Sequence, residues 1–188
     1  CAYWPKTTGV TLSGDMSSTF QITGYSVAPE YANQADLMIS SIVARTTPAN
    51  FTGEPDGIEL SFHHLLTNIK FAVNKTPGTA ATINVTNIRL SNVKNAGTYS
   101  LSTFTVTDPW KTGTWSDLSG SATYNSGTIS QLITTTTDHN EYTEIANWDG
   151  FLAIPQSITA DQVGLTVEYT STPAGGTPTA RRVTMNLP

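Results

Sequence analysis

The chain has 188 residues, a formal net charge of −5 and only 12% charged residues. Its nine Lys and Arg are scattered, with Arg181 and Arg182 the one adjacent pair, which excludes the basic footprint of a nucleic-acid binder and a polybasic membrane patch. A single cysteine, Cys1, excludes an internal disulfide, and no apolar run approaches the roughly 20 residues of a membrane helix.

Composition favours strands. Hydrophobic residues make up 38%, enough for a core, and Thr and Ser together fill roughly a quarter of the chain. Thr is β-branched and suits the pleated, half-buried surface of a sheet. A Thr-rich chain poor in Lys and Glu is also typical of extracellular adhesive surfaces, so a secreted, all-β, non-enzymatic domain is expected.

In chain order, Phe20–Tyr25 is the first clear strand. A short helical turn is expected near Tyr31–Gln34, leading into a strand that includes Leu37, Met38 and Ile39. Arg45–Gly57 holds Pro48, Gly53, Pro55 and Gly57 and reads as a linker. Ile58, Leu60, Phe62, His64 and Leu66 then alternate at period two, which predicts that they share one buried face. After Thr67-Asn68 the apolar set moves to Ile69, Phe71 and Val73. A one-residue slip without Gly or Pro implies a bulge or a strand that crosses between sheets. Ile83–Leu90 shows the same slip, from odd to even positions.

Asn95-Ala-Gly97 is read as a turn before the strand Thr98–Leu101. Trp110–Asn125 is expected to be irregular with edge strands, and Ser130–Ile133 to be a brief strand. Phe151–Gln156 is a compact apolar strand stopped by Pro155. Val163–Tyr169 and Arg182–Leu187 alternate as the arms of a hairpin around a Gly/Pro-rich loop. About eight to eleven short strands at this spacing predict an antiparallel β-sandwich. The boundary is placed at the linker: residues 1–56 as part of one sandwich, residues 57–188 as a complete or near-complete second one.

The search for chemistry finds little. Glu54, Asp56 and Glu59, and separately Asp138, Glu141 and Glu144, are close in sequence, but neither group shows the fixed pair of carboxylates a glycosidase needs. Solvated loop charges explain them. His63 and His64 are adjacent on a strand and point to opposite faces, so they do not share a metal. His64 is expected to be a buried, hydrogen-bonded core residue. No hydrolase elbow, phosphate loop, zinc spacing or calcium loop occurs. No catalytic residue, metal ligand or cofactor site is therefore assigned. Trp110, Trp115, Tyr124 and Trp148 cluster along the chain and are the candidate binding residues, either as an exposed platform for sugars or peptides or as core filling. Cys1 is read either as a lipidated first residue or as the place where the sequence starts. Tyr3-Trp4-Pro5 favours the second reading, because aromatic residues seek burial where a lipid tether would be polar.

The segment Phe62-His-His64-Leu-Leu66-Thr-Asn-Ile69-Lys-Phe71 resembles the fimbrillin superfamily of Bacteroidetes, whose members carry a Phe-x-His-x-Leu-x-x-Ile/Val-x-Phe pattern. Other pieces follow in the same order. They are Tyr3-Trp4-Pro5, Gln34-Ala-Asp36-Leu37-Met38, Ile88-Arg-Leu90 through Gly97-Thr-Tyr99, Leu152-Ala-Ile154-Pro155-Gln156 and Leu165-Thr-Val167-Glu-Tyr169.

The resemblance implies two transthyretin-like β-sandwiches and a structural or adhesive subunit of cell-surface fimbriae. It implies an exported lipoprotein, held at the outer membrane only through a lipid on its precursor. Its partners would be other fimbrial subunits joined by β-strand addition, with host proteins or glycans beyond them and no nucleic acid. Against the family pattern, strands before Tyr3 and closing strands after the last hairpin are absent from the sequence, which implies a fragment shortened at both ends. The alternative function is a surface carbohydrate- or protein-binding β-sandwich module.

Overall fold

The computed structural model describes residues 2–14, 19–40, 60–76, 78–101, 113–133, 142–158 and 162–188. The strands among them are, in chain order, β1 (Tyr3–Trp4), β2 (Thr11–Ser13), β3 (Phe20–Ser26), β4 (Met38–Ser40) and β5 (Phe62–His64). Then come β6 (Thr67–Ile69), β7 (Ala72–Val73), β8 (Thr82–Val93), β9 (Ala96–Leu101), β10 (Gly113–Ser119) and β11 (Ala122–Asn125). The last five are β12 (Gln131–Ile133), β13 (Thr143–Glu144), β14 (Phe151–Ala153), β15 (Gly164–Thr172) and β16 (Thr179–Asn186). One 3₁₀ turn, Tyr31–Asn33, falls where a helical turn is expected. The all-β, antiparallel architecture expected from composition is the one observed.

These elements form two compact units. The first comprises Cys1–Ser26, Ala35–Leu66 and Ala96–Leu118; the second comprises Val27–Gln34, Thr67–Asn95 and Ser119–Pro188. The stretches interleave along the chain, whereas the sequence reading places residues 1–56 and 57–188 as consecutive blocks. The 56/57 boundary itself, like the Arg45–Gly57 linker around it, lies outside the described residues.

Within the first unit, β1, β4 and β5 make one sheet, and β10, β9, β3 and β2 make another. Ile22 and Tyr25 of β3, Ile39 of β4, Tyr99 and Leu101 of β9, and Leu65 beyond β5 are buried between them. Trp115 on β10 ties the two sheets together. Its ring meets Tyr99 edge-on at 5.5 Å, and its Nε1 donates to Leu65 O at 3.1 Å. At Gly24 the register with β9 slips between Ile22 and Tyr25. Gly24 adopts φ +77°, and a Cβ there would run into the carbonyl of Gly9, so the bulge requires glycine.

The second unit is organised by β8, twelve residues long. β8 pairs with β11 and β12 along one edge and with β15 along the other, and β15 pairs with β16. The sequence slip inside Ile83–Leu90 is a bulge: Val85 opposes Tyr169, Asn87 opposes Glu168, and Thr86 is the extra residue. The bulge explains why Val85, Ile88 and Leu90 are all buried although their spacing changes parity. The pairs β6 with β14 and β7 with β13 supply the facing layer. Phe151 on β14 meets Tyr124 on β11 at 5.8 Å and Trp148 at 4.9 Å, so aromatic rings bridge the layers. Each such fully buried side chain contributes about 1.5–3 kcal/mol by leaving water.

The earlier slip, after Thr67-Asn68, has a different cause. The chain leaves the sheet of β5 in the first unit and enters the pair of β6 and β14 in the second. The predicted face of this segment is corrected: Leu60 is 38% and Phe62 41% exposed, whereas Leu65 is buried. The odd positions point inward here. His64 is corrected with them: its side chain is 69% exposed and Nδ1 pairs with the Asp36 carboxylate. Alternation gives the period of a strand but not which of its faces meets the core, and here the face with more apolar residues is the outer one.

Candidate functional site

In the second unit, burial falls steadily across the sheet. The core positions of β8 are buried, β15 is half-buried along most of its length, and all eight residues of β16 are exposed. Directly opposed residues of an antiparallel ladder share a face. Leu165 opposes Met185 and Val167 opposes Val183, and on the other side the same two residues oppose Leu90 and Ile88. The apolar face that forms the core under β8 therefore continues without a break onto β16. There it meets solvent: Val183 is 43% and Met185 49% exposed.

Among the described residues, the facing layer stops short of this strip and leaves a groove of about 360 Å³. Val73, Ile133, Val167, Tyr169, Val183 and Met185 line it, and Asn74 and Lys75 also belong to its lining. β16 also ends the sheet, so among the described residues its outer edge has no strand partner. An eight-residue strand offers an edge about 27 Å long. The opposite face of the same hairpin is polar: Thr166 and Thr184 hydroxyls lie 3.1 Å apart. Arg89 grips both oxygens of Glu168 at 2.8 and 3.4 Å. Chemically the site is an apolar trough beside an open row of backbone donors and acceptors.

The residues nominated from sequence lie elsewhere. Trp110 is outside the described residues. Trp115, in the first unit, is half-buried and tilted against Tyr25 as well as edge-on to Tyr99. Tyr124 and Trp148, in the second unit, are 0% and 4% exposed, and Phe151 joins them into one cluster. Phe71 stacks on Trp148 at 6.0 Å. The three described rings thus fill cores. Large exposed aromatics are found at other positions, Trp4, Phe62 and Tyr142.

Of the two acidic groups, Glu54, Asp56, Glu59, Asp138 and Glu141 also lie outside the described residues, and Glu144 stands on β13. Among the described residues, no three His, Cys, Asp or Glu side chains come together as a metal site. No helix among them is long and apolar enough to cross a membrane. Two tyrosines of the first unit are electrostatically perturbed. Burial, and then the negative charge of Asp36, push Tyr25 up to about 12, and its hydroxyl donates to Ala35 O at 2.5 Å. Burial alone raises Tyr99. Both shifts hold a phenol neutral in a core, which suits packing.

Sequence reasoning missed the groove. Its one signal was the matched alternation of Leu165/Val167 with Val183/Met185, which marks a hairpin but does not say how far the covering layer extends.

A family model described as Fimbrillin-like matches residues 1–181. No curated protein sequence matches the chain significantly. Among solved structures, the chain is similar to a fimbrial protein from Bacteroides vulgatus ATCC 8482, with a TM-score of 0.57 and 18% sequence identity. The likeness covers 99% of this chain and 66% of that one. At such identity it bears on the fold, and the chain spans less than two thirds of that protein's length.

Proposed function

Because the chain belongs to the fimbrillin-like family, we propose that it is a structural, adhesive and non-catalytic subunit of cell-surface fimbriae, to which neighbouring subunits attach by adding a β-strand. The observation that carries this reading is the apolar groove beside the open edge of β16. An added strand would satisfy the backbone groups of that edge and cover Val183 and Met185, combining main-chain pairing with side-chain register. No pocket chemistry is needed; the interface is the activity. A lipid on the precursor would hold the first subunit at the outer membrane.

Two measurements test it. A peptide of alternating Val and Thr added to the folded chain is expected to slow hydrogen exchange at the amides of β16 and leave β3 unchanged. Substituting Val183→Lys with Met185→Lys is expected to remove that protection. Unchanged exchange of β16 at saturating peptide overturns strand addition. Antibodies raised against the chain are expected to label fibres on the surface of the cells that make it; labelling confined to the cell interior overturns the subunit reading.

A further inference from the structure

Resting on the strand-addition reading, we propose that the strand which joins β16 is acidic as well as apolar. It carries two neighbouring carboxylates opposite Arg181 and Arg182, and apolar side chains on the face of Val183 and Met185. The argument starts from charge. The chain has 14 acidic and 9 basic residues, yet no acidic residue follows Glu168. β16 is therefore a basic edge on an acidic chain.

Arg181 and Arg182 are adjacent on a strand, so they flank the edge on both faces. Arg181 lies opposite Tyr169, which offers no carboxylate, and Arg182 lies opposite Glu168. Glu168 is already held through both oxygens by Arg89. Among the described residues, neither arginine has an ion pair of its own. Two guanidinium groups thus stand at the open edge, at the end of the apolar strip.

This arrangement discriminates between occupants. Two copies of β16 in full antiparallel overlap would place Arg181 opposite Thr184 and Arg182 opposite Val183, crowding four guanidinium groups into the middle of one short ladder with no carboxylate to meet them. A strand bearing carboxylates gains at the same two positions. In antiparallel pairing the complement reads, from its N-terminus, apolar, any, apolar, acidic, acidic. No two acidic residues of the chain are adjacent, so these 188 residues do not contain that pattern. The occupant is a strand from outside them. The simpler role for edge arginines is to discourage aggregation, which needs no partner charge at all.

Three labelled peptides of about ten residues separate these roles. All share the alternating apolar pattern and end in Glu-Glu, Gln-Gln or Lys-Lys; binding to the folded chain is followed by fluorescence anisotropy. The Glu-Glu peptide is expected to bind about tenfold tighter than the Gln-Gln peptide, with Lys-Lys weaker still and the differences shrinking in high salt. Arg181→Glu with Arg182→Glu is expected to invert the order, and Arg181→Gln with Arg182→Gln to flatten it. Equal affinities for all three peptides overturn the charge selection and leave strand addition standing. Binding by none of them overturns both.

Discussion

Replacing Phe151 tests whether the aromatic cluster of the second unit is a core or a surface for ligands. Phe151 is fully buried on β14, with Trp148 edge-on at 4.9 Å and Tyr124 tilted at 5.8 Å. Phe151→Ala removes the ring and leaves a cavity between β14 and β11, at a cost of about 3–5 kcal/mol. Phe151→Leu keeps most of the volume and loses the two ring-ring contacts, each about 0.5–1.5 kcal/mol, for a total of about 1–3 kcal/mol. Either loss is a large fraction of the roughly 5–15 kcal/mol that holds a domain folded. Urea unfolding followed by tryptophan fluorescence reads both variants, since Trp148 lies against the substituted side chain. The midpoint is expected to fall in the order wild type, Leu, Ala with the slope unchanged. A Leu variant as stable as wild type, or an Ala variant that loses less than about 1 kcal/mol, refutes the core assignment.

Two further outcomes follow from the first unit. Tyr25 is pushed up to about 12 from an ordinary value of 10, so the folded state keeps this proton at a pH where the unfolded chain has lost it. Its contribution is complete below about pH 10 and disappears as pH rises through about 12. Tyr25→Phe is expected to show a shallower fall in stability across that window and, at neutral pH, the loss of about 1 kcal/mol for the bond to Ala35. An identical alkaline fall in both proteins would show that Tyr25 is not the titrating group. At Gly113 on β10, a Cβ would run into the hydroxyl and ring of Tyr99, so Gly113→Ala is expected to cost about 1–3 kcal/mol in urea unfolding. An unchanged midpoint would mean that the two do not pack as described.

What the sequence made legible was periodicity and its interruptions. The arms of the β15–β16 hairpin alternate at period two and pair with each other as read, though the ladder runs over eight residues and β16 begins at Thr179 rather than Arg182. The parity slip in β8 allows a bulge or a crossing between sheets, and the structure has the bulge, because one inserted residue is the least disruptive way to return apolar side chains to the same face. Phe20–Tyr25 and Phe151–Ala153 were likewise visible as strands. What could not be read was which side of a strand the rest of the molecule covers. His64 and Phe62 face solvent on β5 although their neighbours suggest a core stripe. The two-residue strand β1 carries too short a pattern to register, and Tyr3 and Trp4 are placed instead by pairing with Ile39 and Met38. The groove at β16 eluded sequence for the same reason: it is defined by where the opposite layer ends.

The long antiparallel ladder of β8, β15 and β16 has a mechanical consequence. A pull along the strand direction loads its rungs in shear, so the hydrogen bonds joining Gly164–Thr172 to β8 must yield nearly together. A pull across the strands would peel them one at a time. A filament whose axis ran along these strands would therefore hold against flow with the same bonds that give way easily when tugged sideways.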